Sequence, residues 1–199
     1  MSQVTNTTSD WKLPSPRKVG ILTLILAESA LFTIFVVAYV FYIGKSLNPP
    51  YPHQVLEFPW LGSIALFGSS GTIIAAERCL RSGNSKGFLI WWGLTLALGI
   101  YFVFFTATEW WKLIMVDGLT IATNTFGTSF FSLVGLHLFH VLVGLVLLSA
   151  VFVAAARKKI HSDHHEHVEV ISYYWHFVDC IWIVVLTVVY IISVRATYG

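Results

Sequence analysis

Charge is scarce in this chain: 11% of its 199 residues are Asp, Glu, Lys or Arg, where a soluble domain has about a quarter. Cysteine is scarcer still. Cys79 and Cys180 stand alone and far apart, which excludes a CxxC redox pair and a paired-cysteine zinc site. No CxxCH, no Gly-rich nucleotide loop and no nucleophile elbow occurs, so no element of the sequence would run a catalytic cycle unaided. A net charge of +2, spread along the chain, leaves no footprint for a nucleic-acid partner. The opening MSQVTNTTSDWKLPSPRK lacks the early apolar core of a cleaved signal peptide. The first apolar run is therefore expected to serve as the insertion signal.

What is present is apolar length. Residues 127–156, GTSFFSLVGLHLFHVLVGLVLLSAVFVAAA, contain no Asp, Glu, Lys or Arg. As a helix that stretch reaches roughly 45 Å, beyond the roughly 30 Å of a hydrocarbon core. Arg157, Lys158 and Lys159 follow it directly and would stop the span at the headgroups. The same pattern recurs, and it predicts an all-α, polytopic membrane protein. Five spans are expected, over about 19–43, 59–76, 88–108, 129–156 and 171–194, between a polar arm (1–18) and a short tail (195–199). Placing the N-terminus inside assigns Lys12, Arg17, Lys18, Arg78, Arg81, Lys86 and the 157–159 cluster to internal segments. Only Lys45, Lys112 and Arg195 then fall outside, so the positive-inside rule predicts N-terminus in and C-terminus out. No internal repeat of the kind that builds inverted-repeat transporters is visible.

A few polar groups sit where lipid would be. Glu28 lies some ten residues into the first span, and a carboxylate at that depth must face protein or water; neighbouring Ser29 and Thr33 are candidates to satisfy it. His137 and His140 share one face of the fourth span. As an HxxH pair they are either two ligands of a metal or haem site, or packed histidines bonded to neighbouring helices. His176 and Asp179 form a second such pair on the last span. It reads as a local His–Asp bond, a partner anchor or a group bearing on proton uptake. Glu109, Trp110 and Trp175 are expected at an interfacial belt. The loop holding His161, Asp163, His164, His165, Glu166, His167 and Glu169 would at most hold a divalent ion weakly. Gly68, Gly71, Gly93, Gly99, Gly135 and Gly144, with Ser69 and Ser70, read as devices for close helix approach.

Four of these stretches, in order, carry a resemblance. GTSFFSLVGLHLFHVLVGLVLL (127–148) resembles the HxxHVxxG helix of subunit III of the haem–copper terminal oxidases. YWHFVDCIWIVVLTVVYI (174–191) resembles that family's final helix, WHFxDxxWxxxFTxxY, with Leu186 where an aromatic residue is frequent. AESALFTIFVVAY (27–39) is similar to its first shared helix, whose carboxylate matches Glu28, and FFTATEWW (104–111) to its acidic helix end. The resemblance spans residues 19–194, in the shorter five-span bacterial form of bo-type ubiquinol oxidases. It implies a non-catalytic subunit in a bacterial plasma membrane, packed on subunit I beside subunit II and a small subunit IV. That complex reduces oxygen to water with electrons from quinol or cytochrome c and pumps protons. The resemblance further implies a V-shaped bundle with phospholipids in its cleft, and haem and copper in the partners only. Glu28, His137, His140, His176 and Asp179 become structural or lipid-cleft groups, with no metal ligand among them. A related five-span accessory of nitric oxide reductases shares nearly the same motifs. A free-standing membrane haem or metal protein and a small transporter using Glu28 are the readings from other classes.

Overall fold

The computed structural model describes residues 15–160 and 165–196, all of whose regular structure is helical. The long helices are α1 (Pro16–Tyr42), α3 (Trp60–Arg81), α4 (Ser85–Met115), α5 (Thr125–Ala156) and α6 (His165–Val185). A single turn, α2 (Pro52–Val55), lies in the loop after α1. Beyond α6 the helix widens into a π segment over Leu186–Ile192 and closes in α7 (Ser193–Ala196).

Local chemistry sets the helix starts beyond the apolar stretches. Ser15 caps α1, with Pro16 in the first turn, where a missing N–H costs nothing. The Asn84 side chain accepts from the Gly87 amide to open α4 (2.9 Å). Asn124 does the same for α5 through Gly127 (2.8 Å), and its amide also donates to the carbonyls of Asn48 and Pro50. Gly83, at φ 76°, makes the tight α3–α4 turn that a side chain would resist.

The helices alternate in direction. Arg17 and Lys18 at the start of α1 reach Glu166 and Glu169 at the start of α6, and Arg81 at the end of α3 reaches Glu169. These contacts put one end of α1, α3 and α6 together. α3 and α6 run antiparallel: the Trp182 indole donates to Ser63 and the Trp175 indole to Ser69. α3, α4, α5 and α6 close a ring, and α1 packs outside it against α5 and α6. Among the described residues each ring helix is flanked by two others, and α1 stands beside the ring with a cavity between it and α5.

Inside the ring Trp92, Trp175 and Trp182 are fully buried. The outside is equally apolar, with Leu26 73%, Val146 69% and Ile90 68% exposed, a surface that suits lipid and not water. Among the described residues four helices are long and apolar enough to cross a membrane: α1, α4, α5 and the continuous helix from α6 to Ala196. α3, with 22 residues, is not among them. Its central GSSGT, with Gly62 and Ser63, dilutes its apolar character, and Ser63, Ser69 and Thr72 are spent on contacts inside the bundle.

Candidate functional site

Glu28 is satisfied across helices, not along its own. Its Oε2 lies 3.1 Å from Nε2 of His140 on α5. The other ring nitrogen of His140, Nδ1, donates to the Leu136 carbonyl (2.8 Å), the usual fate of a helical histidine that meets its own preceding turn. That bond leaves one proton to be shared on the outer side. Either a carboxylic acid donates to a neutral imidazole, or an imidazolium donates to a carboxylate. The pair is sheltered by Phe32, whose ring centre is 4.9 Å from that of His140, and the Tyr174 hydroxyl donates to the His140 backbone carbonyl. Ser29 and Thr33, expected to help Glu28, instead donate to the carbonyls of Ile25 and Ser29. Hydroxyls one turn along a helix find their own backbone first.

His137 goes elsewhere. Its ring stacks on Trp182 (centroids 5.0 Å, planes 22° apart) and meets the Phe102 edge. It is 1% exposed, and neither ring nitrogen has a partner among the described residues. The shared helical face of HxxH therefore does not become a shared site: one histidine is a polar tie to α1, the other an aromatic plate in the core.

His176 and Asp179 are joined through a third residue. Ser70 on α3 donates to Asp179 Oδ2 and lies 3.0 Å from His176 Nδ1. With its proton given to the carboxylate, the hydroxyl accepts from Nδ1–H. Of the readings the sequence left open for this pair, the direct His–Asp bond gives way to a bridge through Ser70. Asp179 is 5% exposed, and its Oδ1 has no partner among the described residues.

Trp175 is not in an interfacial belt. It is completely buried, with its indole donating to Ser69 (2.8 Å). Its ring lies in a slot between α4 and α5 that two glycines leave open: a Cβ on Gly144 would sit 2.8 Å from the ring and one on Gly99 2.9 Å. Trp110 is half-buried against Phe131, and Trp111, at 66% exposure, is the outward-facing indole. Glu109, half-buried near its helix end, lies beside an ion pair between Lys112 and Glu57.

At the opposite end the polar groups form a latch. The helix from His165 to Ala196 has 32 residues, about 48 Å, so its first turns project beyond the hydrocarbon. There the Tyr173 hydroxyl, opposed by burial and aided by Lys18 and Arg81, holds the Glu169 carboxyl below the usual carboxylate value. His161, Asp163 and His164 of the expected histidine loop lie outside the described residues. Among the described residues no three of His, Cys, Asp and Glu gather where they could hold a metal ion. The inward histidines do not converge on one point: His140 bonds to Glu28, His176 to Ser70, and His137 lies against the Trp182 indole.

Sequence reasoning missed Ser63, Ser69 and Ser70 as partners of the last helix. Their spacing is matched by Trp175, His176 and Trp182, a signal that only an assumed antiparallel pairing of the two helices would reveal.

Comparison with known proteins places this arrangement. The family model described as cytochrome c oxidase subunit III matches residues 13–194. A protein named cytochrome c oxidase subunit 3 from Synechocystis sp. is 35% identical over 186 residues, covering 90% of this chain and 77% of that one. Proteins of the same name from Loxodonta africana and Hippopotamus amphibius are 31% and 30% identical over 184 residues, each alignment covering 87% of this chain and 68% of theirs.

Proposed function

The chain belongs to the cytochrome c oxidase subunit III family, and on that premise we propose that it is the non-catalytic subunit III of a proton-pumping haem–copper oxidase. Its role is to brace the haem-bearing subunit I and sustain proton uptake during turnover. One observation carries this beyond family membership. The intramembrane groups that a membrane enzyme or carrier would use, Glu28, His140, His176 and Asp179, are taken up in bonds that tie α1 to α5 and α3 to α6. They work as fasteners of a scaffold.

All five long helices cross the membrane in this reading, α3 included, because the alternation of ends leaves it no other path. The end that gathers Arg17, Lys18, Arg81 and the 157–159 cluster faces inward. The relatives' names favour cytochrome c as the donor to the assembled enzyme, and the Synechocystis relative is consistent with a bacterial plasma membrane. Phospholipid occupies the cavity of about 430 Å³ between α1 and α5, lined by Phe35, Ala38, Tyr42, Thr128 and Ser132.

Gentle purification through a tag on this chain, with mass spectrometry of what accompanies it, tests the proposal. A large haem–copper subunit and a copper-bearing subunit II are expected. Recovery with a nitric oxide reductase, or with no partner, would overturn it.

A further inference from the structure

Three helix ends meet at the latch, and between them they leave a cleft. Lys18 from the start of α1, Arg81 from the end of α3, and His165 and Glu169 from the start of α6 line about 510 Å³. Its charges do not balance. Lys18 Nζ (3.1 Å), Arg81 Nη2 (3.8 Å) and the Tyr173 hydroxyl (2.5 Å) all converge on one oxygen, Glu169 Oε1. Two cations thus share one carboxylate. Arg17 and Glu166 beside them pair with each other, and Glu77 and Arg78 in the last turns of α3 add one charge of each sign.

Arg81 is the unspent member of this group. Its contact with Glu169 is an ion pair, too long for a hydrogen bond. No hydrogen bond among the described residues uses its guanidinium, and its side chain is 59% exposed. A planar fork of N–H donors suits a phosphate, which accepts through two oxygens at once. An ammonium would gain little here, since three donors already crowd Glu169 Oε1. The second observation is what lies along the helix beyond the cleft. From Glu169 the same face of α6 runs through Tyr173, His176 and Cys180 to Ile183, Val184 and Ile191. The last three are 53%, 41% and 37% exposed, and the face stays open between α1 and α3. Towards mid-membrane it is therefore a surface for acyl chains. A cationic cleft at the end of an apolar face has the outline of one lipid, headgroup and chains together.

We propose that the cleft between the starts of α1 and α6 and the end of α3 binds the phosphate of an anionic lipid, held by the Arg81 fork and Lys18, with its chains along the open face of α6. Basic pockets between helix ends hold such headgroups in this way. Glu169 sets the strength of the site, because it competes with the phosphate for both cations. The site is separate from the α1–α5 cavity, and it stands independently of the oxidase reading.

The test exchanges the detergent-purified full chain, with whatever accompanies it, against equal amounts of phosphatidylglycerol and phosphatidylcholine. Native mass spectrometry reads the lipid bound per chain. Arg81→Ala removes an exposed side chain, so the fold is retained. It is expected to lower the preference for phosphatidylglycerol about fivefold, the effect of one basic residue on an anionic headgroup. Arg81→Lys, which keeps the charge and loses the fork, falls between. Lys86→Ala removes a cation from the neighbouring α3–α4 turn, outside the cleft, and leaves the preference unchanged. Glu169→Gln frees both cations and raises it, a direction that simple loss of structure would not give. Equal effects of Arg81→Ala and Lys86→Ala, or a fall in Glu169→Gln, overturns the site. Displacement of the bound phosphatidylglycerol by inorganic phosphate assigns the cleft to a soluble anion and overturns the lipid.

Discussion

At the scale of the residue, depth in the membrane makes a polar group legible and hides its partner. Glu28 stands out in the sequence because a carboxylate there is expensive, yet its neighbours Ser29 and Thr33 turn to their own backbone and His140 takes the bond. Removing one side of that bond leaves the other unpaired in an apolar setting. Glu28→Ala is therefore expected to destabilise the docking of α1 by about 1–3 kcal/mol and to shorten the active lifetime of the assembled enzyme without removing haem. Glu28→Gln, whose amide N–H still reaches His140 Nε2, keeps most of both. Thermal denaturation of the purified complex and the decay of oxygen uptake during turnover measure the difference. Trp175 shows the converse limit. Its amphipathic ring reads as an interfacial residue, and only three-dimensional packing reveals two glycines forming its slot. Gly144→Ala puts a methyl group 2.8 Å from a ring that Gly99 confines from another side, a loss of about 1–3 kcal/mol. An unchanged melting temperature would show that the ring has room to move.

At the scale of the element, apolar stretches locate α1, α4, α5 and α6, while the ends of the helices depend on caps. Asn84 and Asn124 begin α4 and α5 outside the stretches that hydropathy marks. The π segment over Leu186–Ile192 has no counterpart in the sequence pattern. The latch at the first turn of α6 carries a pH dependence. The Glu169 carboxyl is held below its usual 4.5 by the Tyr173 hydroxyl, Lys18 and Arg81, so the folded state favours its ionised form. The stabilisation is fully present above about pH 4.5 and is lost as the pH falls through the lowered value. Melting temperature is expected to be flat from about pH 7 to 5 on this account and to fall below that range. In Glu169→Gln the latch's share of that fall disappears, leaving a lower and flatter profile. A Glu169→Gln profile parallel to wild type would assign the acid loss to other groups.

At the scale of the whole molecule, charge placement predicts the proposed orientation, and the ion pairs of the latch bring Arg17, Lys18 and Arg81 to one end. Residues in two turns report it. In a background with Cys79 and Cys180 replaced by serine, Lys45→Cys is expected to react with a membrane-impermeant maleimide in intact spheroplasts. Lys86→Cys reacts only after the membrane is opened. The reverse pattern would invert the topology. The closed ring of α3 to α6, with α1 outside, was not legible in the sequence. Contacts between helices depend on which glycines and serines meet which indoles, and the V-shaped expectation came from resemblance alone.

The central claim is that this chain braces an oxidase without taking part in its chemistry. It is tested most directly by stripping the chain from the purified complex and measuring haem and initial oxygen uptake in both fractions. The account predicts a colourless separated chain, and a remainder that keeps its haem and its initial rate but loses activity sooner during turnover. Haem travelling with this chain, or a remainder inactive from the first turnover, would contradict it.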